Sequence, residues 1–415
     1  LVVCSAGDIC VDGECVEVCQ TCQEENHEVC VDGACICDEA GGYHLAADGE
    51  TCTDSICDPN PCNVALYQIC VDGLCTCDEE NGFHMGGDGV TCTQDPCDPN
   101  PCDFAANEVC LWDQCVNLTV LGSYPSHVRK GGLFELDFPF FGNFSNPYDA
   151  SEISVRFTFS APSGAKTVVD GFIHQSFSPN CGGPCMVLNL TPTNAPGWKV
   201  RFSPGEAGTW VFIGKVVAGG IEAMGPVGQF VVDEASMPPV VTVSPAEPLR
   251  LALPDGRPFL PRGINAGWGE PLYGGNIGNY DTLFSALKAA DMNAVRLIMV
   301  PASFALEVET PGRYRLQAGY LLDYALERAR RAGVRVILVL DSFESLTEGW
   351  SDNPYNAANG GPCATPEAFW SDSAARGLFK QRLRYIAARW GSSSQILAWE
   401  LWREVDRVPG AEDPA

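Results

Sequence analysis

The sequence predicts a multidomain chain: disulfide-rich small modules, an antiparallel β-sandwich, and the N-terminal half of a (β/α)8 barrel. Three observations predict it. Nineteen of the 22 cysteines lie before residue 116, strand-like runs of period two follow, and short apolar strands then alternate with helices. The 415 residues suit two to four domains. The pattern divides them into modules over 1–116, a sandwich over 118–233, a linker over 234–248 and a partial barrel over 249–415.

Charge is spread unevenly. Residues 1–116 hold 24 Asp and Glu and no Lys or Arg, and so carry nearly all of the net charge of −28. Such a front end excludes nucleic acid as a partner, because phosphates need basic side chains. It reads most simply as a solvated acidic surface. The cysteine density requires an oxidising compartment, which places the protein outside the cell or on its surface. No apolar run is long enough to span a bilayer. The chain shows no initiator Met and no signal peptide, from which an N-terminal cut is expected.

The front region repeats with a period of forty residues. Cys22, Cys30, Cys35, Cys37 and Cys52 recur as Cys62, Cys70, Cys75, Cys77 and Cys92, and Cys97, Cys102, Cys110 and Cys115 begin a third copy. Units this short cannot bury a sufficient core, so cross-links must stabilise them. Spacing alone leaves fifteen pairings open for six cysteines.

The ending from Gly42 to Cys52, repeated from Gly82 to Cys92, resembles the last hairpin of epidermal growth factor-like modules. That resemblance implies pairing of first to third, second to fourth and fifth to sixth cysteines. The implied bridges are Cys19–Cys30, Cys22–Cys35 and Cys37–Cys52, then Cys57–Cys70, Cys62–Cys75 and Cys77–Cys92, then Cys97–Cys110 and Cys102–Cys115. Cys4, Cys10 and Cys15 look like the second to fourth cysteines of a unit whose start is missing. Calcium-binding relatives carry an acidic run before the first cysteine, which Asp54-Ser55-Ile56-Cys57 and Gln94-Asp95-Pro96-Cys97 lack. Two scattered acids do not supply the six or more oxygens a calcium ion takes, so no cofactor is expected. Zinc fits poorly, since it needs thiolates free of disulfides.

From about residue 118, Phe134 to Phe138, Ile153 to Phe159 and Lys199 to Phe202 alternate with period two between Gly and Pro turns. Several such strands predict a sandwich. Cys181 and Cys185 are expected to form a local disulfide. The runs Asn146-Pro147-Tyr148, Asp170-Gly171-Phe172, Trp198 to Pro204 and Gly208-Thr209-Trp210 resemble domain of unknown function 5060, a small sandwich that precedes some cellulase-type barrels. Trp198, Trp210 and Tyr148 either stack on sugar faces or fill the sandwich core, and strand aromatics favour the core. Pro238, Pro239, Pro245 and Pro248 make 234–248 read as a stiff linker.

Beyond it, Arg262 to Asn265 ends a first strand, and Tyr280 to Ala290 is helical. Ala294 to Val300 is a buried strand, and Leu321 to Ala332 is a helix stopped by Gly333. Val334 to Leu340 is a third strand, Pro366 to Trp390 one long helix, and Ile396 to Trp399 opens a fourth strand. Apolar parallel strands separated by crossover helices give an α/β fold. In a barrel the site collects at the C-terminal strand ends, where Asn265, Arg296, Asp341 and Glu404 fall.

Glycoside hydrolysis needs a carboxylic acid at the leaving oxygen and a second carboxylate opposite it. A Glu just past an apolar strand, walled by Trp399 and Trp402, would have the raised pKa of a general acid. The run Asp255 to Asn265, Val295-Arg296, and Trp399-Glu400-Leu401-Trp402-Arg403-Glu404-Val405-Asp406 resemble family 5 and related clan A glycoside hydrolases. The resemblance implies that Glu404 is the acid/base and that Arg296 orients the nucleophile. Asn265, Trp268, Arg296, Trp350 and Arg403 are the candidate substrate-binding residues.

Three departures stand out. The family's Asn before the acid/base is Arg403, which cannot accept a hydrogen bond and would depress the pKa of Glu404. Asp341 and Ser342 stand where many relatives keep a His. The family's nucleophile, a Glu ending the seventh strand, falls beyond residue 415, so the chain is expected not to hydrolyse glycosides alone. Bland alternatives also exist: Glu404 as a surface acid, Glu400 as a paired strand residue, Trp268, Trp350 and Tyr355 as loop packing. Cys363 has no evident partner. The leading reading is a retaining endo-β-glycanase acting on a cellulose- or mannan-like polysaccharide, and its rival is a non-enzymatic glycan-binding or adhesion protein.

Overall fold

The computed structural model describes residues 8–11, 14–17, 22, 26–31, 34–95, 98, 102, 108–111, 114–117, 122–138, 144–178, 190–218, 221–236, 240–266, 277–300 and 304–411. The chain forms two compact units, residues 1–102 and 103–415.

The first unit is a run of two-stranded hairpins. Glu28–Val31 pairs with Ala34–Cys37, and Gln68–Val71 with Leu74–Cys77. Asp72 and Gly73 both take positive φ, 48° and 78°, which the two-residue turn between these last strands requires. Among the described residues of this unit the buried apolar ones are cysteines and Ala46, with no ordinary core among them. Cross-links replace it: Cys22–Cys35, Cys37–Cys52, Cys57–Cys70, Cys62–Cys75 and Cys77–Cys92. These are pairs that the module resemblance implies. Cys102, Cys110 and Cys115 are also disulfide-bonded. Cys19, Cys97, Cys181 and Cys185 lie outside the described residues.

The second unit opens with the sandwich. Its strands are β1 (His127–Lys130), β2 (Phe134–Phe138), β3 (Ile153–Ser160), β4 (Lys166–Asp170), β5 (Phe172–His174), β6 (Gly197–Phe202), β7 (Gly208–Ala218) and β8 (Ile221–Ser236). One sheet has the order β1-β8-β7-β3-β4 and the other β2-β6-β5. All pairs are antiparallel except β1 with β8. Period-two alternation aims Phe134, Phe157, Phe159, Phe212 and Phe230 into the core. Trp198 and Trp210 are buried there as well, so neither offers a face to a sugar.

The linker reading needs correction. Strand β8 runs on to Ser236, and Thr242–Val243 pairs with Leu251–Ala252, which pairs with Pro258–Phe259. Pro245 and Pro248 therefore sit in the turn of a small meander, because a proline outside the ladder bonds leaves the flanking strands free to pair.

The remaining strands are β9 (Gly263–Asn265), β10 (Ala294–Ile298), β11 (Arg335–Val339) and β12 (Ile396–Glu400). They pair in sequence order, all parallel, as a curled half-barrel sheet. Helices α1 (Gly278–Ala289), α2 (Leu316–Ala332) and α3 (Ser373–Trp390) pack beside it. On α2, Ala318, Leu321, Leu322, Ala325, Leu326 and Ala329 make one buried stripe, and Gly333 ends the helix at φ 74°. The long helix expected from Pro366 is broken. A single turn, Ala368–Ser371, stops at Asp372, which is extended and accepts the Ala375 N–H at 2.8 Å to cap α3.

The sandwich sits on these helices. Phe172, Phe177 and Leu190 join the barrel core, and Tyr148 lies between both cores. Asp323 of α2 accepts Arg201 Nη1 from β6, Arg389 Nη2 and Trp390 Nε1, each at 2.7 Å. The two guanidinium groups lie 5.2 and 5.5 Å from the centre of the Phe172 ring. Arg384 donates to Asp170 at 2.9 Å, and the Tyr385 hydroxyl donates to the Ile173 carbonyl at 2.9 Å. The helix layer thus holds the sandwich with both apolar surface and charge-assisted bonds.

Candidate active site

Parallel register brings the chemistry together. Asn265, Arg296, Ile337 and Ala398 are neighbours across β9 to β12, and Val339 stands beside Glu400. Arg296 reaches one layer up and donates Nε to Glu400 Oε2 at 2.7 Å and Nη2 to Oε1 at 2.5 Å. This forked pairing matches guanidinium to carboxylate in one plane. It raises the pKa of Arg296, chiefly through the hydrogen bond to Glu400, with a smaller contribution from the charge of Glu404. Glu400, one of the expected alternatives as a paired strand residue, is bonded in that way. Asn265 is exposed beside them.

Glu404 follows β12 in a turn. Its backbone is left-handed, φ 49° and ψ 49°, a conformation that side chains other than Gly seldom take. Arg403 Nη2 lies 2.6 Å from one carboxylate oxygen and Arg407 Nη1 lies 2.7 Å from the other. Arg403 also donates Nη1 to Glu344 at 2.8 Å, and Glu344 accepts the Ser342 hydroxyl. Arg407 covers the Phe343 ring at 3.7 Å. The hydrogen bond from Arg407, followed by the charge and hydrogen bond of Arg403, holds the Glu404 carboxyl below the usual carboxylate range.

That outcome corrects the expectation of a raised value. The tryptophans do not wall the carboxylate. Trp402 packs against Trp370 and Phe369 at 5.1 and 5.5 Å, and Trp399 is partly exposed. Two cations and open solvent therefore decide the protonation state. The depression expected from Arg403 is present, with Arg407 as its larger source.

Beneath the turn lies a buried polar knot. Asp341, at the end of β11, accepts Arg382 Nη2 at 2.6 Å and the Ser345 hydroxyl at 2.5 Å. Arg382 also lies 3.3 Å from Glu307, which accepts the Gly312 N–H at 2.6 Å and the Tyr355 hydroxyl at 3.1 Å. Burial outweighs Arg382 and pushes the Glu307 carboxyl up. Tyr355 is thus loop packing and lines no subsite. Trp350 packs partly buried on the cluster of Phe343, Leu346 and Tyr355, while Trp268 lies outside the described residues. Cys363 is a free, buried thiol whose pKa burial pushes up to about 11, which leaves it inert as a nucleophile. Sequence reading missed Glu307, Arg382 and Arg407. Only Arg407 left a signal, its place three residues after Glu404 in a short turn.

Among the described residues, Cys22, Glu28 and Cys35 form the one metal-like cluster, and the mutual disulfide of its cysteines removes its thiolates. No helix among them is long and apolar enough to cross a membrane.

Comparison with known proteins agrees with this architecture. Residues 127–215 match the family model Domain of unknown function (DUF5060). A curated relative, mannan endo-1,4-beta-mannosidase 7 of Arabidopsis thaliana, is 27% identical over 104 residues, 23% of this chain and 24% of its own length. Among solved structures, a Bacteroides vulgatus protein with a glycoside hydrolase assignment aligns at TM-score 0.48 and 20% identity, covering 69% of this chain and 51% of that one. A glycoside hydrolase family 5 mannosidase from Rhizomucor miehei aligns at TM-score 0.31 and 16% identity, covering 41% and 50%. The chain thus spans about a quarter of the curated relative and about half of the first of these structures. The DUF5060 match falls within the second unit, on the sandwich strands.

Proposed function

We propose that the chain belongs to a secreted endo-β-glycanase that hydrolyses a cellulose- or mannan-like polysaccharide by a retaining, two-carboxylate mechanism. The observation that carries the reading is that Arg296, in the middle of β10, reaches across β11 to Glu400 at the C-terminal end of β12, with Glu404 in the turn just beyond. The curated mannosidase relative supports the substrate class, and the disulfides support an extracellular setting.

In this mechanism the Glu404 carboxyl gives its proton to the glycosidic oxygen as the bond to the anomeric carbon breaks. The second carboxylate, by family resemblance a Glu ending a seventh strand, forms the glycosyl ester from the opposite face. Glu404, now ionised, then takes a proton from the water that releases the sugar. Arg296 holds Glu400 fixed beside the reacting face. Asn265 and Arg403 would contact sugar hydroxyls, with Trp268 and Trp350 along the flanking loops. The rival, a glycan-binding protein without hydrolysis, draws support from the double guanidinium clasp on Glu404.

The complete secreted protein should release reducing ends from β-mannan or carboxymethyl cellulose, and NMR of the first product should show the β-anomer. Binding of either polymer without release at any pH would favour the rival and overturn the enzyme reading.

A further inference from the structure

The clasp on Glu404 joins Arg403, a candidate sugar contact, to Arg407, which has no place in the two-carboxylate scheme. Arg403 and Arg407 flank Glu404 in sequence, and each takes a different oxygen of its carboxylate, at 2.6 and 2.7 Å. Each arginine is anchored from outside the turn. Arg403 is tied to Glu344, in the loop after β11, and its peptide bonds to that loop: Arg403 N–H donates to Asp341 O at 2.9 Å, and Phe343 N–H to Arg403 O at 3.2 Å. Arg407 is seated on the Phe343 ring. The Arg407 N–H closes the turn on the Glu404 carbonyl at 3.0 Å and holds the left-handed conformation at Glu404. A non-Gly residue in this conformation persists only where its surroundings over-determine it.

We propose that Arg407, acting with Arg403, is a positioning residue that fixes the Glu404 carboxylate at the strand ends and confines its use as a proton donor to acidic solution. The proposal rests on the reading of Glu404 as the acid/base. The other charged groups facing this site are Arg296 with its partner Glu400, from β10 and β12, and Glu344 and Glu348 in the loop after β11. Arg296 adds to the clasp. The two glutamates oppose it from a greater remove, bound to or facing the arginines rather than the carboxylate. The lowered pKa of Glu404 agrees with this balance, and Arg407 is its largest cause. A group held ionised has fewer protonated copies at neutral pH, so the alkaline limb of activity moves to lower pH.

The test has two readouts. Carbon-13 titration of the Glu404 side chain, in this chain, follows the carboxyl itself. Arg407→Gln should move its midpoint up by roughly one pH unit, and Arg407→Lys should restore most of the difference. In the complete protein, Arg407→Gln should shift the alkaline limb of kcat/KM upward by the same amount, about tenfold in rate above the limb. A Glu404 midpoint that ignores both substitutions, in variants with the parent circular dichroism spectrum, overturns the proposal. A midpoint that shifts in a protein with no hydrolysis at any pH retains the clasp and sinks the enzyme reading instead.

Discussion

Among the carboxylates of the second unit that are held by two arginines, Asp323 and Glu404 differ in what surrounds them. Asp323 joins Arg201, Arg389 and Trp390 between sandwich and helices, with its side chain 18% exposed. Glu404 joins Arg403 and Arg407 in an open turn, with its side chain 38% exposed. In the first cluster Arg389 is itself fully buried, so the ions depend on one another for solvation. In the second, Glu404 and Arg407 stand in water and only Arg403 is largely covered, so the pairing adds less to stability. One constellation therefore serves as a joint and the other as a tuned surface group. Burial makes the difference.

Breaking the joint gives the largest expected effect. Asp323→Ala should destabilise the second unit by about 3–5 kcal/mol, because it leaves the buried Arg389 without a carboxylate while Arg201 keeps only Glu135. Chemical denaturation followed by tryptophan fluorescence measures the loss. Glu404→Ala in the same assay should leave the denaturation midpoint nearly where it was. A similar cost for both would erase the distinction.

The stapled unit sharpens the contrast from another side, since its described residues show neither an ordinary core nor buried ion pairs. Cys77→Ser with Cys92→Ser should cost its module about 2–4 kcal/mol, read as faster proteolysis within 57–95, and leave the melting of the second unit unchanged.

Acid should loosen the joint before it affects the staples. The Asp323 carboxyl is held far below the usual range by Arg201 and Arg389, against the opposing effect of burial. Its contribution is complete above the unfolded value, about 3.9, and fades as pH falls below it. His174 adds an earlier step. Burial first, then Arg389 and Lys199, push its pKa down to about 4. The fold prefers the neutral ring, so stability falls as pH drops from about 6.5 toward that value. Melting temperature against pH for the parent and His174→Gln should show a shallower acid slope in the variant.

The two clusters were not equally legible. Glu404 and Arg296 could be singled out because a polar residue just past an apolar strand, or alone within one, stands out. Asp323 could not be placed, since an Asp on an amphipathic helix reads as solvated. Its partner Arg201 lies 122 residues earlier, on a strand of another fold. The Glu307–Arg382 pair was hidden for the same reason. Local chemistry misled at two boundaries. Pro366 looked like a helix start although Asp372 supplies the cap for α3, and clustered prolines masked the pairing of Thr242–Val243. The environment of Glu404 was the third miss, because neighbouring tryptophans in sequence turned away from it in space.

The most direct test of the central claim is the rate of β-mannan hydrolysis by the complete protein with Glu404→Gln, measured beside its melting temperature. The account predicts a loss of about 100-fold or more, the scale of a missing general acid, with the melting temperature unchanged. A variant that hydrolyses mannan as fast as the parent would contradict it.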